Sequence, residues 1–325
     1  MGPAVWVFEK FPLRGLCANA ACFFGSCAAA FGGIRAAFAD HGCDLVFVSS
    51  SFQEYATAKL EHAIGSFASA VTADFDAYIV MAGIIKQFIK GSESSFEALL
   101  SRLPREKTLV IEDNVPSYHC LYKDNRPGMR EVMTYVLDEH KCQRVGFVSG
   151  PERSFGARER ESVYFEEMDK RGLSREDRWF VRGKFQGNCS DIIEDYVSRN
   201  LDLEAIVCAT DSLALEVYRA LEAHGRHPGI DVLVTGHDDQ PEAALAHPPL
   251  TTVQLDPFGV GYQAGVEAIN IMYGRPQQQT TVSGRLIKRF SCGERVSDLA
   301  NPFQRLVTAD PFPTQDIAWE IFAHA

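Results

Sequence analysis

The 325-residue chain lacks an uninterrupted apolar stretch of the roughly 20 residues needed to cross a bilayer, so it is not read as an integral membrane protein. It has no cysteine pair at CxxC spacing, which argues against a zinc knuckle or a thioredoxin-type redox site. It carries only 32 Lys and Arg against 43 Asp and Glu, a net charge of -11. That balance argues against a surface dedicated to phosphate backbones. Neither a GxxxxGK[ST] phosphate loop nor a GxSxG nucleophile elbow is found, and no Ser–His or Cys–His pair can be named from spacing. Low-complexity tracts and repeats of solenoid length are also missing.

What is present is ordinary globular material. The chain is 46% hydrophobic and 23% charged, which excludes disorder and suits two domains of common size. Nine cysteines, an odd number scattered from Cys17 to Cys292, read as free buried thiols in a reducing compartment, hence a cytoplasmic protein. The apolar segment Gly15–Phe31 after Lys10 and Arg14 superficially resembles a signal peptide. It is better read as a helix between a first strand at Ala4–Phe8 and a second at Leu45–Val48.

Short apolar runs alternate with helical patterns along most of the chain. Strands are expected at Val5–Phe8, Leu45–Val48, Tyr78–Ala82, Leu109–Ile111, Val145–Val148, Ala205–Cys208 and Val232–Thr235. Several are apolar at successive positions, as in strands covered on both faces. Met129, Val132, Met133, Val136 and Leu137 share one helix face, after Asp124, Asn125 and Pro127 as start signals. A second helix is expected to begin at Thr210-Asp211-Ser212. This alternation indicates an α/β fold with doubly wound parallel sheets. Gln277–Gln279 read as a surface loop, and 294–325 as an appended tail.

Two tempting motifs lose their force on inspection. Gly259-x-Gly261-x-x-x-Gly265 follows a strand-like Thr251–Leu255, but Pro257 would stand in the first helical turn, placing the glycines inside the helix rather than in a dinucleotide-binding turn. His224, His227, His237 and His247, with Asp238 and Asp239, invite a metal site. His227 and His237 flank one strand, however, and would lie about 15 Å apart, so no metal or cofactor is expected.

Open parallel sheets bind ligands beyond the carboxyl ends of their strands. Those positions hold Ser149-Gly150, Thr210-Asp211 and His237-Asp238-Asp239, joined by Arg158 and Arg160 on the helix after Ser149. Phe185, on the short strand-like stretch Trp179–Phe185, could stack on a ligand. Such a rim suits sugar hydroxyls, a purine edge or a small acid.

The stretches Tyr122-Lys-Asp124-Asn125-Arg126-Pro127-Gly128, Arg144–Glu152 and Ala157-Arg-Glu-Arg160 resemble the effector-binding core of LacI/GalR-type regulators. The resemblance continues through Ala209–Leu215, Val234–Asp239, Pro248–Val253 and Arg285–Arg289, in family order over roughly 109–293. It implies the fold of the type 1 periplasmic binding proteins: two doubly wound parallel-sheet lobes joined by three crossovers. The N-lobe would hold 1–141 and 257–283, and the C-lobe 142–256 and 284–293. By the same resemblance Arg160 would clamp the effector, Asp238 would receive its hydroxyls or amines, and Phe185 would stack. Thr210 stands where Asn is common. The expected ligand-binding set is Arg160, Asp238, Phe185, Thr210, Asp211, Arg158 and Asn125.

Two departures from the family pattern stand out. Phe11–Ala21 replaces the usual polar and aromatic loop after the first strand, and no helix-turn-helix precedes Val5. The headless arrangement resembles sensor segments attached to GGDEF diguanylate cyclases or histidine kinases. The expected function is therefore a cytoplasmic, homodimeric small-molecule sensor that contacts neither DNA nor membrane and carries no catalytic group of its own. It would regulate cyclic-di-GMP signalling or transcription through an output beyond this chain. The alternatives are a solute-binding protein of a transport system and an enzyme on the same scaffold.

Overall fold

In a computed structural model, residues 4–6, 14–20, 26–50, 75–82, 96–97, 100–152, 154–184, 189–275 and 280–293 are described. They form two largely parallel sheets flanked by helices, the expected α/β class. The first sheet contains β1 (Ala4–Trp6), β2 (Arg14–Ala20), β3 (Asp44–Ser50), β4 (Ala77–Met81), β5 (Thr108–Ile111), β6 (His119–Asp124) and β12 (Thr280–Ser283), in the order β1-β3-β2-β4-β5-β6-β12. Only β1 runs antiparallel to its neighbour. The second sheet contains β7 (Val145–Ser149), β8 (Phe180–Arg182), β9 (Ala205–Cys208) and β10 (Leu233–Thr235), all parallel, in the order β10-β9-β7-β8. A small antiparallel pair, β11 (Thr252–Gln254) with β13 (Arg285–Ile287), lies along the connections. Every residue of β4, β5, β7 and β9 is buried, the signature of strands with helices on both faces.

Helices complete the layers: α1 (Ser26–Asp40), α2 (Arg126–Thr134), α3 (Phe155–Lys170), α4 (Ser190–Ser198), α5 (Asp211–Ala223), α6 (Pro241–Leu245) and α7 (Pro257–Met272). The Gly259/Gly261/Gly265 series lies inside α7, as its Pro257 start requires, and its role is packing. A Cβ on Gly261 would overlap the Ala30 carbonyl of α1, and one on Gly265 would press on Ala37. Gly33 of α1 meets the Phe258 carbonyl in the same way, so the two backbones touch where they cross. None of the helices among the described residues is long and apolar enough to cross a membrane.

Two expectations are corrected. The segment Arg14–Ala20 is a strand rather than part of a helix, and it is an interior strand between β3 and β4; Ala4–Trp6 is the antiparallel edge. Its small residues, Gly-Leu-Cys-Ala-Asn-Ala, carry little β-branched or aromatic signal. Most of Phe11–Ala21, expected to replace the loop after the first strand, is thus itself strand, while residues 11–13 and 21 lie outside the described residues. The second correction concerns α2 and the π-helical turn that continues it, Tyr135–Glu139. Met129, Val132, Met133, Val136 and Leu137 are all buried, but in the core of the second sheet. The chain thus leaves the first sheet at Asp124, not near residue 141.

Three segments pass between the sheets: Asp124 to Asn125, Asp256 to Pro257, and Ser283 to Arg285. They lie close together because Gly284 has no side chain. A Cβ there would stand 2.6 Å from Val253 Cγ1 and 2.8 Å from the Gln254 carbonyl. Gln277–Gln279 and the tail 294–325 lie outside the described residues.

Candidate ligand site

The carboxyl ends of β7, β9 and β10 face the first crossover, and a buried polar chain spans the gap. Arg160 reaches it because α3 presents Glu159, Arg160, Val163, Tyr164, Glu167 and Met168 on its inward face. Its Nη2 donates to Asn125 Oδ1 at 2.9 Å and to Asp238 Oδ1 at 3.2 Å, while Nη1 donates to the Ala209 carbonyl. Nε is buried and has no partner among the described residues. Asp238 sits in the turn after β10 with φ 110, and its backbone N–H is held by the Val253 carbonyl. This strained turn aims its carboxylate at Arg160.

Burial alone would raise the Asp238 carboxyl, but Arg160 and the His237 hydrogen bond outweigh it and hold the group well below the usual carboxylate range. Burial, reinforced by the Arg160 charge, pushes His237 down to about 3. The imidazole is therefore neutral, and its 3.1 Å contact with Asp238 Oδ1 is an Nδ1–H donated to a carboxylate, not an ion pair. Asp238 Oδ2 accepts no hydrogen bond among the described residues, although the side chain is 22% exposed.

The other expected residues are placed differently. Asp211 is fully buried: Oδ2 accepts from the Gln240 N–H at 2.7 Å and Oδ1 from Thr252 Oγ1 at 2.5 Å. It props the turn carrying Asp238 from behind, and burial lifts its carboxyl to about 7. Thr210 caps α5 by accepting the Leu213 N–H at 3.3 Å. Arg158 points the other way, exposed, donating to the Glu152 carbonyl and lying over the Phe155 ring. Two residues apart on a helix are about 200° apart, so Arg158 and Arg160 cannot share a site. Phe185 lies outside the described residues, where the expected strand narrows to Phe180–Arg182.

Sequence reasoning missed Glu159, Tyr122 and Arg289. Tyr122 donates its hydroxyl to Glu159 Oε1, and Asn125 Nδ2 donates to Glu159 Oε2 at 2.9 Å. Burial lifts the Glu159 carboxyl to about 7. Stepping back four residues from Val163 and Tyr164 would have found Glu159 and Arg160 together. Arg289 holds Asp239 at 2.7 Å, fixing the other half of the turn. Among the histidines, His224 pairs with Glu194 and His227 with Asp231, each on the surface. Among the described residues no group of His, Cys, Asp and Glu could hold a metal ion.

Comparison with known proteins supports the same region. Residues 136–292 match the family profile of the periplasmic binding protein-like domain. The HTH-type transcriptional regulator GalS of Salmonella typhimurium is 29% identical over 150 residues, 45% of this chain and 44% of its own. The ribose operon repressor of Escherichia coli is 29% identical over 167 residues, 51% of this chain and 49% of its own. The chain thus spans about half the length of the curated relatives it matches. Among solved structures, the lac repressor dimer bound to operator and an anti-inducer aligns with TM-score 0.71 at 17% identity, covering 87% of this chain and 94% of that one. The CelR–cellobiose complex aligns with TM-score 0.70 at 20% identity, covering 87% and 85%. At such identities the likeness shows the fold.

Proposed function

We propose that the chain is the sensor portion of a regulator, binding a neutral polyhydroxylated ligand between two lobes made of 4–124 with 257–283 and 125–256 with 284–293. The observation that carries the ligand class is the Arg160–Asp238 pair, its guanidinium buried, its carboxylate half-buried and the two charges already matched, with one carboxylate oxygen still open among the described residues. A ligand acid would have to take Arg160 from Asp238 and leave that carboxylate unpaired. A ligand amine would strand Arg160 instead. Hydroxyls can donate to Asp238 and accept from Arg160 without breaking the pair. Ligand-induced closure would then bias an output, since a cleft between lobes gives the closed state its extra affinity. The names of the relatives, a ribose operon repressor among them, favour a transcriptional output over the diguanylate cyclase output expected from the sequence. The same names favour a regulator over a transport-associated binding protein, and the lac repressor dimer favours a homodimer.

A thermal-shift screen tests this reading. D-ribose, lactose and cellobiose are compared with adenine and with small carboxylic acids, on the wild type and on Asp238→Ala and Arg160→Ala. A ligand at 100 times its Kd should stabilise the native state by about 2.7 kcal/mol. The expected result is a shift with a neutral sugar that both substitutions abolish. A sugar shift that survives both would place the ligand elsewhere, and turnover of the stabilising compound would favour an enzyme.

A further inference from the structure

Arg160 can only donate hydrogen bonds, so the atom Asn125 presents to it must be the amide oxygen. The amide nitrogen then faces Glu159, which must accept there, as it does at 2.9 Å. Tyr122 supplies the other oxygen of Glu159 with a donor. Asn125 has its backbone N–H turned to the same carboxylate at 3.5 Å, and Gly156 leaves the room in which the amide and the guanidinium meet. With Glu159 ionised, every link has a fixed direction. Tyr122 belongs to β6 of the first sheet, Asn125 to the crossover, and Glu159 and Arg160 to α3 of the second.

We propose that Glu159 is a positioning residue which, by dictating how the Asn125 amide is turned, aims Arg160 at Asp238 and ties that aim to strand β6. This rests on the ligand reading above only for its purpose, not for its geometry. Asn125, expected from the sequence to meet the ligand, instead uses its amide on Glu159 and Arg160. Movement of β6 against α3 would reach Arg160 through three hydrogen bonds, so the relay couples the relation of the two sheets to the state of the site. The charged and titratable groups facing Glu159 are Arg160 on its own helix and Tyr122 on β6.

An exchange of acid and amide tests the relay without any ligand. Asn125→Asp sets two carboxylates against each other, and Glu159→Gln on that background restores a donor facing an acceptor. Thermal unfolding of the full chain is followed from pH 5 to pH 9 for wild type, both single variants and the double. Asn125→Asp should lose stability with rising pH more steeply than wild type, and adding Glu159→Gln should remove that extra slope. Additive behaviour of the two substitutions would overturn the proposal.

A second readout separates positioning from mere packing. In arginine-15N-labelled protein, the Nε–H resonance that disappears in Arg160→Lys should be kept in Glu159→Gln, whose oxygen can still face Asn125. It should shift in Glu159→Leu and in Asn125→Leu. An unmoved resonance in both leucine variants would overturn the proposal even if stability changed. If the exchange couples as expected while none of the three sugars binds, the relay stands and the ligand reading fails.

Discussion

Asp238→Asn removes one charge from the centre of the site and almost no volume. Arg160 is 4% exposed, and Asp238 is its one ion-pair partner among the described residues. Deleting one member of a buried pair costs about 3–5 kcal/mol, because the survivor is left as an uncompensated charge. Two features reduce the figure here. Water reaches the Asp238 side chain, which is 22% exposed, and the guanidinium keeps the Ala209 carbonyl and Asn125 Oδ1 as acceptors. We expect a loss of about 2–3 kcal/mol. In a chain of this size, each kcal/mol moves Tm by about 2–4 °C, so Tm should fall by roughly 5–10 °C. Circular dichroism melts, checked with tryptophan fluorescence for a single transition, measure it. Arg160→Met should recover part of the loss on the Asp238→Asn background, since an uncharged site leaves no orphan. A Tm within about 1 °C of wild type for Asp238→Asn would refute the reasoning, as would a double variant that falls by the sum of the singles.

Other expectations follow from the same geometry. Glu159 and Asp211 have folded-state values raised to about 7, above unfolded values of about 4, so the native state binds more protons between those limits. Their contribution is full below about pH 4 and is lost as pH rises through 7, each on the order of 3 kcal/mol. Thermal melts should therefore show a Tm decline from pH 5 to 8 that is shallower in Glu159→Gln than in wild type; an unchanged slope would contradict the burial argument. Tyr122→Phe strips a donor from a buried carboxyl and should cost about 1–3 kcal/mol in denaturant unfolding. Gly261→Ala drives a methyl into the Ala30 carbonyl and should cost at least about 3 kcal/mol or prevent folding, whereas full stability would mean that α1 and α7 cross elsewhere. Cys142, lifted to about 11 by burial, and Cys208, also raised by burial, should resist iodoacetamide at pH 8 in the native protein and react after unfolding, read by mass spectrometry.

Much of the fold was legible because buried parallel strands write themselves as unbroken apolar runs. Ala205–Cys208 and Val145–Ser149 stand where such runs predict them. Arg14–Ala20 escaped because its small residues have no β-branched signature, and an alanine-rich continuation into α1 made the whole look helical. Only pairing with β3 and β4 decides between the two. The apolar face of α2 was equally plain, but periodicity says that a helix has a buried side, not which core receives it.

In the site, Arg160 and Asp238 meet as the strand-end rule led one to expect. Arg158 was grouped with Arg160 because they are neighbours in sequence, and the helical period separates them. Asp211 and Thr210 do lie at the strand ends, but as a prop and a cap, roles that depend on partners as distant as Thr252 and Gln240. The Glu159 relay was hidden for the same reason. Its partners, Tyr122 and Asn125, stand 37 and 34 residues away across the crossover.

Calorimetric titration of the full chain with D-ribose, lactose and cellobiose, on wild type and Asp238→Asn, tests the central claim most directly. The account expects saturable heat with a neutral sugar and an affinity at least about 100-fold weaker in the variant, the worth of a lost charge-assisted bond of about 3 kcal/mol. Equal affinity in the two proteins, or heat only with an acid or an amine, would contradict it.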